Sequence, residues 1–274
     1  MIAVLHLGTI DYGTALDLQQ SLVEFRKQER IPDVLLLLEH PPVITFGRNA
    51  SQKNLLASND LLKQRGVELF ESNRGGDVTF HGPGQLVGYP IFDLRGFSPR
   101  LGAVEFVRRM EDSLIRTCGD LGIPCERICG LTGVWTQGTA SRQLEEVDSQ
   151  ISPPCSNASE SRDQKKIAAI GVHISRGITS HGFALNVTTD LDYFKLIVPC
   201  GISDRPVTSI AQELEGKRTI PGLEQVAHSV SLNFGRVFER QMLWLESLDT
   251  LLRGAPSADA ASGTGEYSTA ARRK

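Results

Sequence analysis

Residues Arg74 to Pro90 read R-G-G-D-V-T-F-H-G-P-G-Q-L-V-G-Y-P, and five of these seventeen residues are glycine. Gly75 and Gly76 come together, and Gly82 and Gly84 bracket Pro83. Glycine allows a backbone to enter left-handed conformations and to approach a ligand closely. Between the glycine clusters, Val78, Thr79 and Phe80 read as a short strand, and Leu86 to Ile91 reads as another. His81-Gly82-Pro83-Gly84 is then a tight connection between strands. A plain hairpin needs one or two glycines. This density beside Arg74, His81 and Gln85 favours a binding loop carried on a rigid scaffold.

Upstream, Ile2 to Leu7 is apolar and strand-like, and Tyr12 to Arg30 has a helical apolar period. Asp33 to Glu39 (DVLLLLE) is a run of the kind buried in a sheet. Val43 to Phe46 and Val67 to Ser72 are further strands, with a short helix from Asn59 to Gln64 between them, capped by Asn59. Downstream, Pro99 to Leu121 and Leu223 to Leu245 are long amphipathic helices. Gly133 to Thr136 is a short strand, and Lys166 to Val187 forms a hairpin. Together these elements predict one α/β (α+β) domain over residues 1–245, a mixed β-sheet flanked by helices. The Ser-, Glu- and Gln-rich segment 137–164 is expected to be a flexible insertion, and 246–274 a disordered tail.

The 274-residue chain carries a net charge of −3, which supplies no basic footprint for nucleic acid. No apolar run approaches the length of a membrane span. The N-terminus lacks the basic start of a signal peptide, and five scattered cysteines do not suggest a disulfide framework. A cytoplasmic location is expected. Cys118, Cys125 and Cys129 lack a second C-x-x-C-type pair, so inert buried thiols are expected rather than a metal site.

Cys200, held in Pro199-Cys200-Gly201, is the candidate nucleophile, with a structural cysteine in a turn as its alternative. Lys166 could activate it, although a lone lysine is more often a solvated surface residue. His81, His173 and His181 are alternative bases.

Four segments in order resemble the lipoyl(octanoyl) transferase family: Arg74-Gly75-Gly76-x-x-Thr79-x-His81-Gly82-Pro83-Gly84-Gln85, Lys166-Ile-Ala-Ala-Ile-Gly171, His181-Gly182-Phe-Ala-Leu-Asn186 and Val198-Pro199-Cys200-Gly201-Ile202. Leu38-Glu-His-Pro-Pro42 matches as well, so the resemblance spans roughly Ile2 to Leu245. It implies a fold like the catalytic domain of biotin and lipoate protein ligases. It implies octanoyl transfer from octanoyl-acyl carrier protein to a lysine of lipoyl domains, in 2-oxoacid dehydrogenase complexes and the glycine cleavage H protein.

In that resemblance Cys200 forms an acyl-thioester, and Lys166 lowers the thiol's pKa and serves as acid and base. Substrate-binding segments map onto Arg74, Gly75, Gly76, Asp77, Val78, Thr79, Phe80 and His81, onto Ala169, Ile170 and Gly171, and onto Gly182, Phe183 and Ala184. No ATP, other cofactor or metal is expected, nor a nucleic-acid or membrane partner, and a monomer is expected. The alternatives are an ATP-dependent lipoate or biotin ligase, which needs no cysteine nucleophile, and a catalytically silent acyl-carrier-binding module. Segment 137–164 is longer than the family's usual connection.

Overall fold

The computed structural model describes residues 1–138, 163–201 and 205–253, and for Cys200 the backbone alone. Eleven strands form two sheets among these residues. The strands are β1 (Ile2–Thr9), β2 (Asp33–Glu39), β3 (Val43–Phe46), β4 (Glu68–Glu71), β5 (Val78–His81), β6 (Gln85–Ile91), β7 (Cys125–Ile128), β8 (Leu131–Thr136), β9 (Lys166–Ser175), β10 (Ile178–Asn186) and β11 (Met242–Trp244). The large sheet has the order β11-β1-β2-β6-β10-β9-β8-β7, and the small sheet β4-β3-β5. β11, β1 and β2 run parallel, and every other pairing in the large sheet is antiparallel.

The continuous apolar run of β2 follows from its central place. Leu35 and Leu37 enter the core beneath helices α3 (Ala103–Asp120) and α5 (Leu223–Phe238). Val34, Leu36 and Leu38 enter the opposite core, beneath α1 (Tyr12–Lys27). Side chains alternate along a strand, so a strand covered on both faces needs apolar residues at every position. The α3–α5 core includes a ring cluster in which Phe92, Phe106, Phe234 and Phe238 are fully buried. A third core, around Phe80 and Phe194, lies under the small sheet and α2 (Asn59–Gln64).

Several expected boundaries shift for physical reasons. Ser58, not Asn59, caps α2, its hydroxyl accepting from the Leu61 N–H. α3 begins at Ala103 because Leu101 is buried and its N–H is committed to the Leu94 carbonyl. α5 stops at Phe238, where Glu239 turns left-handed at φ 54°, and Met242–Trp244 then joins β1 as a strand. Residues Leu248–Arg253, expected within a disordered tail, form α6 and bury Leu251. Of the expected insertion, residues 139–162 lie outside the described residues, as do 254–274 of the tail. Cys118 and Cys125 are free and buried, whereas Cys129 is disulfide-bonded and departs from the expected thiol. No helix among the described residues is long and apolar enough to cross a membrane.

Candidate active site

The glycine-rich connection does not close a hairpin. β5 belongs to the small sheet and β6 to the large one, so His81 to Gly84 carries the chain from one sheet to the other. A cleft of about 450 Å³, including its mouth, opens at this seam. Its walls come from the Arg74 loop, from the middle of β9 (Ala169, Ile170, Gly171) and from β10 (Gly182, Phe183, Ala184).

The loop meets β9 backbone to backbone. The Gly75 N–H donates to the Val172 carbonyl at 2.9 Å. A Cβ on Gly171 would lie 2.6 Å from the Gly75 carbonyl oxygen, a separation no side chain tolerates. Arg74 is buried, and its guanidinium fixes the loop from beneath. Nη2 donates to the Thr45 carbonyl at 2.6 Å, Nε to Thr45 Oγ1 at 3.1 Å, and Nη1 to the Gly75 carbonyl at 3.0 Å. Asp77 braces the other end. Its carboxylate accepts from the N–H groups of Ser51 and Val78 and from the Asn54 amide. The Asn54 carbonyl in turn accepts from the Val198 N–H, just ahead of the turn that contains Cys200.

The strand period sorts the expected binding residues. Thr79 and His81 face the cleft. Val78 and Phe80 point the other way, into the small-sheet core, where Phe80 stacks on Tyr193. These two, and Gly75 with its backbone turned to β9, do not line the cleft wall.

Three wall residues, Tyr12, Tyr89 and His181, were absent from the expected binding segments. Tyr12 comes from the first turn of α1, where the Asp11 side chain accepts from the Thr14 N–H. The ring of Tyr12 stacks on His81 with centroids 6.1 Å apart. Behind it, His40 Nδ1–H donates to the Ile10 carbonyl at 2.6 Å, which leaves Nε2 to accept from the Tyr89 hydroxyl at 2.7 Å. The only signals for this box in the sequence were the His40-Pro41-Pro42 turn and a tyrosine one residue after a capping aspartate.

A hydrogen-bond chain sets the His81 tautomer. The Thr208 carbonyl can only accept, so Asn186 Nδ2 donates to it at 2.9 Å and Oδ1 faces Gln85. Gln85 Nε2 then donates to Asn186 Oδ1 and to the Phe80 carbonyl, leaving Gln85 Oε1 to accept from His81 Nδ1–H at 2.8 Å. Burial, with His40 and Arg74 nearby, pushes the His81 imidazole down to about 3, so it is neutral near pH 7. Burial likewise pushes His181 down to about 3 and His40 to about 4. His181 has a left-handed φ of 56°, and its Nε2 meets Asn73 Oδ1 at 2.6 Å.

Lys166 is buried rather than solvated. Its ammonium stands 5.2 Å over the Trp135 ring, and its stem crosses Gly133. A second cavity, of about 270 Å³ including its mouth, is lined in part by Lys166, Pro199, Gln85 and Asn186. It shares Thr79, Ala169 and Ala184 with the main cleft. Cys200 is the central residue of the 3₁₀ turn Pro199–Gly201, which packs on β5. The two expected catalytic positions therefore lie on elements that border one small cavity, which shares wall residues with the larger cleft.

A two-sheet α/β domain, with a seam cleft and a buried lysine in the small cavity beside it, defines the class. Residues 11–234 match the lipoyl protein ligase A/B catalytic domain. The bipartite lipoate protein ligase of Thermoplasma acidophilum shares the fold, with a TM-score of 0.64 at 16% identity over 92% of this chain and 91% of that one. Within that class the chain belongs to the octanoyltransferase family. It is 61% identical to the octanoyltransferase of Koribacter versatilis over 252 residues, which covers 92% of this chain and 90% of the relative. It is 56% identical to that of Acidobacterium capsulatum over 257 residues, covering 92% and 96%.

Proposed function

We propose that this acyltransferase moves an octanoyl group from the phosphopantetheine thioester of acyl carrier protein to a lysine of a lipoyl domain, through a thioester on Cys200. The observation that carries the proposal is the small cavity bordered by Lys166 and Pro199, which shares the wall residues Thr79, Ala169 and Ala184 with the cleft. The octanoyl chain lies in the cleft, and its carbonyl reaches the inner cavity.

The chemistry balances without a nucleotide or a metal. The resting pair is a Cys200 thiolate and a Lys166 ammonium, the positive charge favouring the thiolate. The thiolate attacks the donor carbonyl. The tetrahedral adduct collapses, the C–S bond to phosphopantetheine breaks, and the leaving sulfur takes a proton from Lys166. Lys166, now a neutral amine, receives the proton that the acceptor lysine loses as it attacks the Cys200 thioester. The amide forms, Cys200 leaves as thiolate and the resting pair is restored. Exchange of one thioester for another is near-neutral in energy, and thioester to amide is downhill, so no activation by ATP is required. Arg74 and Asp77 act as braces of the loop, and His81, held neutral, places no charge beside the acyl chain.

Intact-protein mass spectrometry after mixing with octanoyl-acyl carrier protein, without ATP, tests this. An octanoyl adduct that hydroxylamine removes, that Cys200→Ala lacks and that a lipoyl domain discharges is the expected result. Modification of the lipoyl domain only when ATP and free octanoate are supplied would replace the proposal with a ligase reaction.

A further inference from the structure

Glu111 on α3 is 1% exposed, and the mechanism above makes no use of it. Its two oxygens are divided between two tasks. Oε2 is paired with Arg108 Nη1 at 2.9 Å and Arg127 Nε at 3.1 Å. Arg127 is also paired with Asp112. Oε1 leaves this ion cluster and accepts from the backbone N–H of Gly133 at 3.1 Å. A buried carboxylate is costly unless it is paired and hydrogen-bonded, and here Arg108 and the Gly133 amide donate to it while the Arg127 guanidinium adds a second charge contact.

The amide is the informative partner. Gly133 sits at φ +129°, in β8, where the pairing with both neighbouring strands is irregular. Its N–H is given to Glu111. In this conformation a Cβ would lie 2.7 Å from Lys166 Cε, 3.4 Å from Nζ and 2.7 Å from the Ala168 carbonyl oxygen. The stem of Lys166 therefore lies in the space that a side chain at position 133 would fill, and this path leads its ammonium over Trp135.

We infer that Glu111 is a positioning residue for Lys166: by holding the Gly133 N–H it fixes the backbone slot through which the lysine stem reaches the inner cavity. The inference rests on the proposed role of Lys166, and its test separates the two. The ion pairs supply stability, while the single hydrogen bond to Gly133 supplies placement. Breaking one without the other tells them apart.

The experiment compares Glu111→Met, Arg127→Met and Gly133→Ala in the full chain, with two readouts. The first is the NMR position of the Lys166 Hε signals in protein carrying ¹³C-lysine, assigned by their loss in Lys166→Met; the Trp135 ring current shifts them from the free-lysine value. The second is kcat and KM for octanoyl transfer to a lipoyl domain. Glu111→Met and Gly133→Ala are expected to move the Hε signals toward the free-lysine position. They should lower kcat by about 10- to 100-fold with KM within about threefold, since an ångström of misplacement can cost about two orders of magnitude. Arg127→Met is expected to lower the melting temperature and leave the Hε signals and kcat near wild type. Should Glu111→Met fail to fold, Glu111→Leu, which likewise offers no acceptor to the Gly133 N–H, is read the same way. Unmoved Hε signals in folded Glu111 variants, or an equal kcat loss in Arg127→Met, overturn the inference. Full activity in Lys166→Met would instead overturn the role of the lysine, whatever the Hε signals show.

Discussion

The Cβ that Gly171 lacks would stand 2.6 Å from the carbonyl oxygen of Gly75. This close approach, with the Gly75 N–H bonded to the Val172 carbonyl, joins the glycine loop to β9, two segments almost a hundred positions apart in the chain. Gly171→Ala should push the Arg74 loop off the strand and widen the seam. Transfer activity is expected to fall about 10- to 100-fold while the protein remains folded. Gly119→Ala is the control: nothing among the described residues lies within 4 Å of its added Cβ, it sits in α3, and its effect should run from neutral to about 1 kcal/mol stabilising. Kinetics and thermal melts of the two variants check this.

Asp77 links the loop to the turn that contains Cys200, through Asn54 and Val198. Asp77→Ala leaves the Ser51 and Val78 N–H groups and the Asn54 amide without their acceptor, at a cost of about 1–3 kcal/mol. Octanoyl adduct formation should slow more than the lost stability alone explains, measured by quenched mass spectrometry under conditions where the variant is fully folded.

Gln85→Leu removes the group that accepts from His81 and donates to Asn186. With His81 Nδ1–H unpaired, the ring is free to turn in the cleft. The expected result is a higher KM for the acyl donor, together with about 1–3 kcal/mol lost stability. An unchanged KM would show that the acyl chain does not depend on the His81 orientation.

Stability should fall on mild acidification. His40, His81 and His181 titrate near 4, 3 and 3 in the folded protein, against about 6.5 when unfolded. The unfolded chain therefore binds more protons below pH 6.5, and stability present above that pH is lost as pH drops toward 3. The slope is about 1.4 kcal/mol per pH unit for each histidine through that window. Denaturant melts between pH 7.5 and 5 measure it, and a flat profile would show that the three rings are already charged when folded.

Much of the fold was legible because local pattern and burial agree. The β2 run and the β9–β10 hairpin have the periods that their surroundings require, and the glycine pairs mark where backbones touch. The small sheet was not legible as separate. A short strand followed by a turn and another strand reads as a hairpin, and nothing local reports that β5 pairs with β3 instead. β11 was lost inside a helical period because its pairing with β1 spans almost the whole chain. β7 carries charged Glu126 and Arg127, whose partners, Gln164 and the α3 carboxylates Glu111 and Asp112, are distant in the chain. In the site, the glycine segments and His81 were readable, and the ring box behind His81 was not. Tyr12, His40 and Tyr89 come from three separate elements, and only tertiary packing makes them neighbours.

The three residues of β11 have a use unrelated to the cleft. They satisfy the outer edge of β1 along Ile2 to Val4, whose side chains are all buried. Without that short strand, β1 would present open backbone donors and acceptors flanked by apolar side chains, a template on which a second chain could pair. Damage to the residues after α5 would thus show itself as insolubility and association between molecules, with the chemistry at the far side of the sheet left intact.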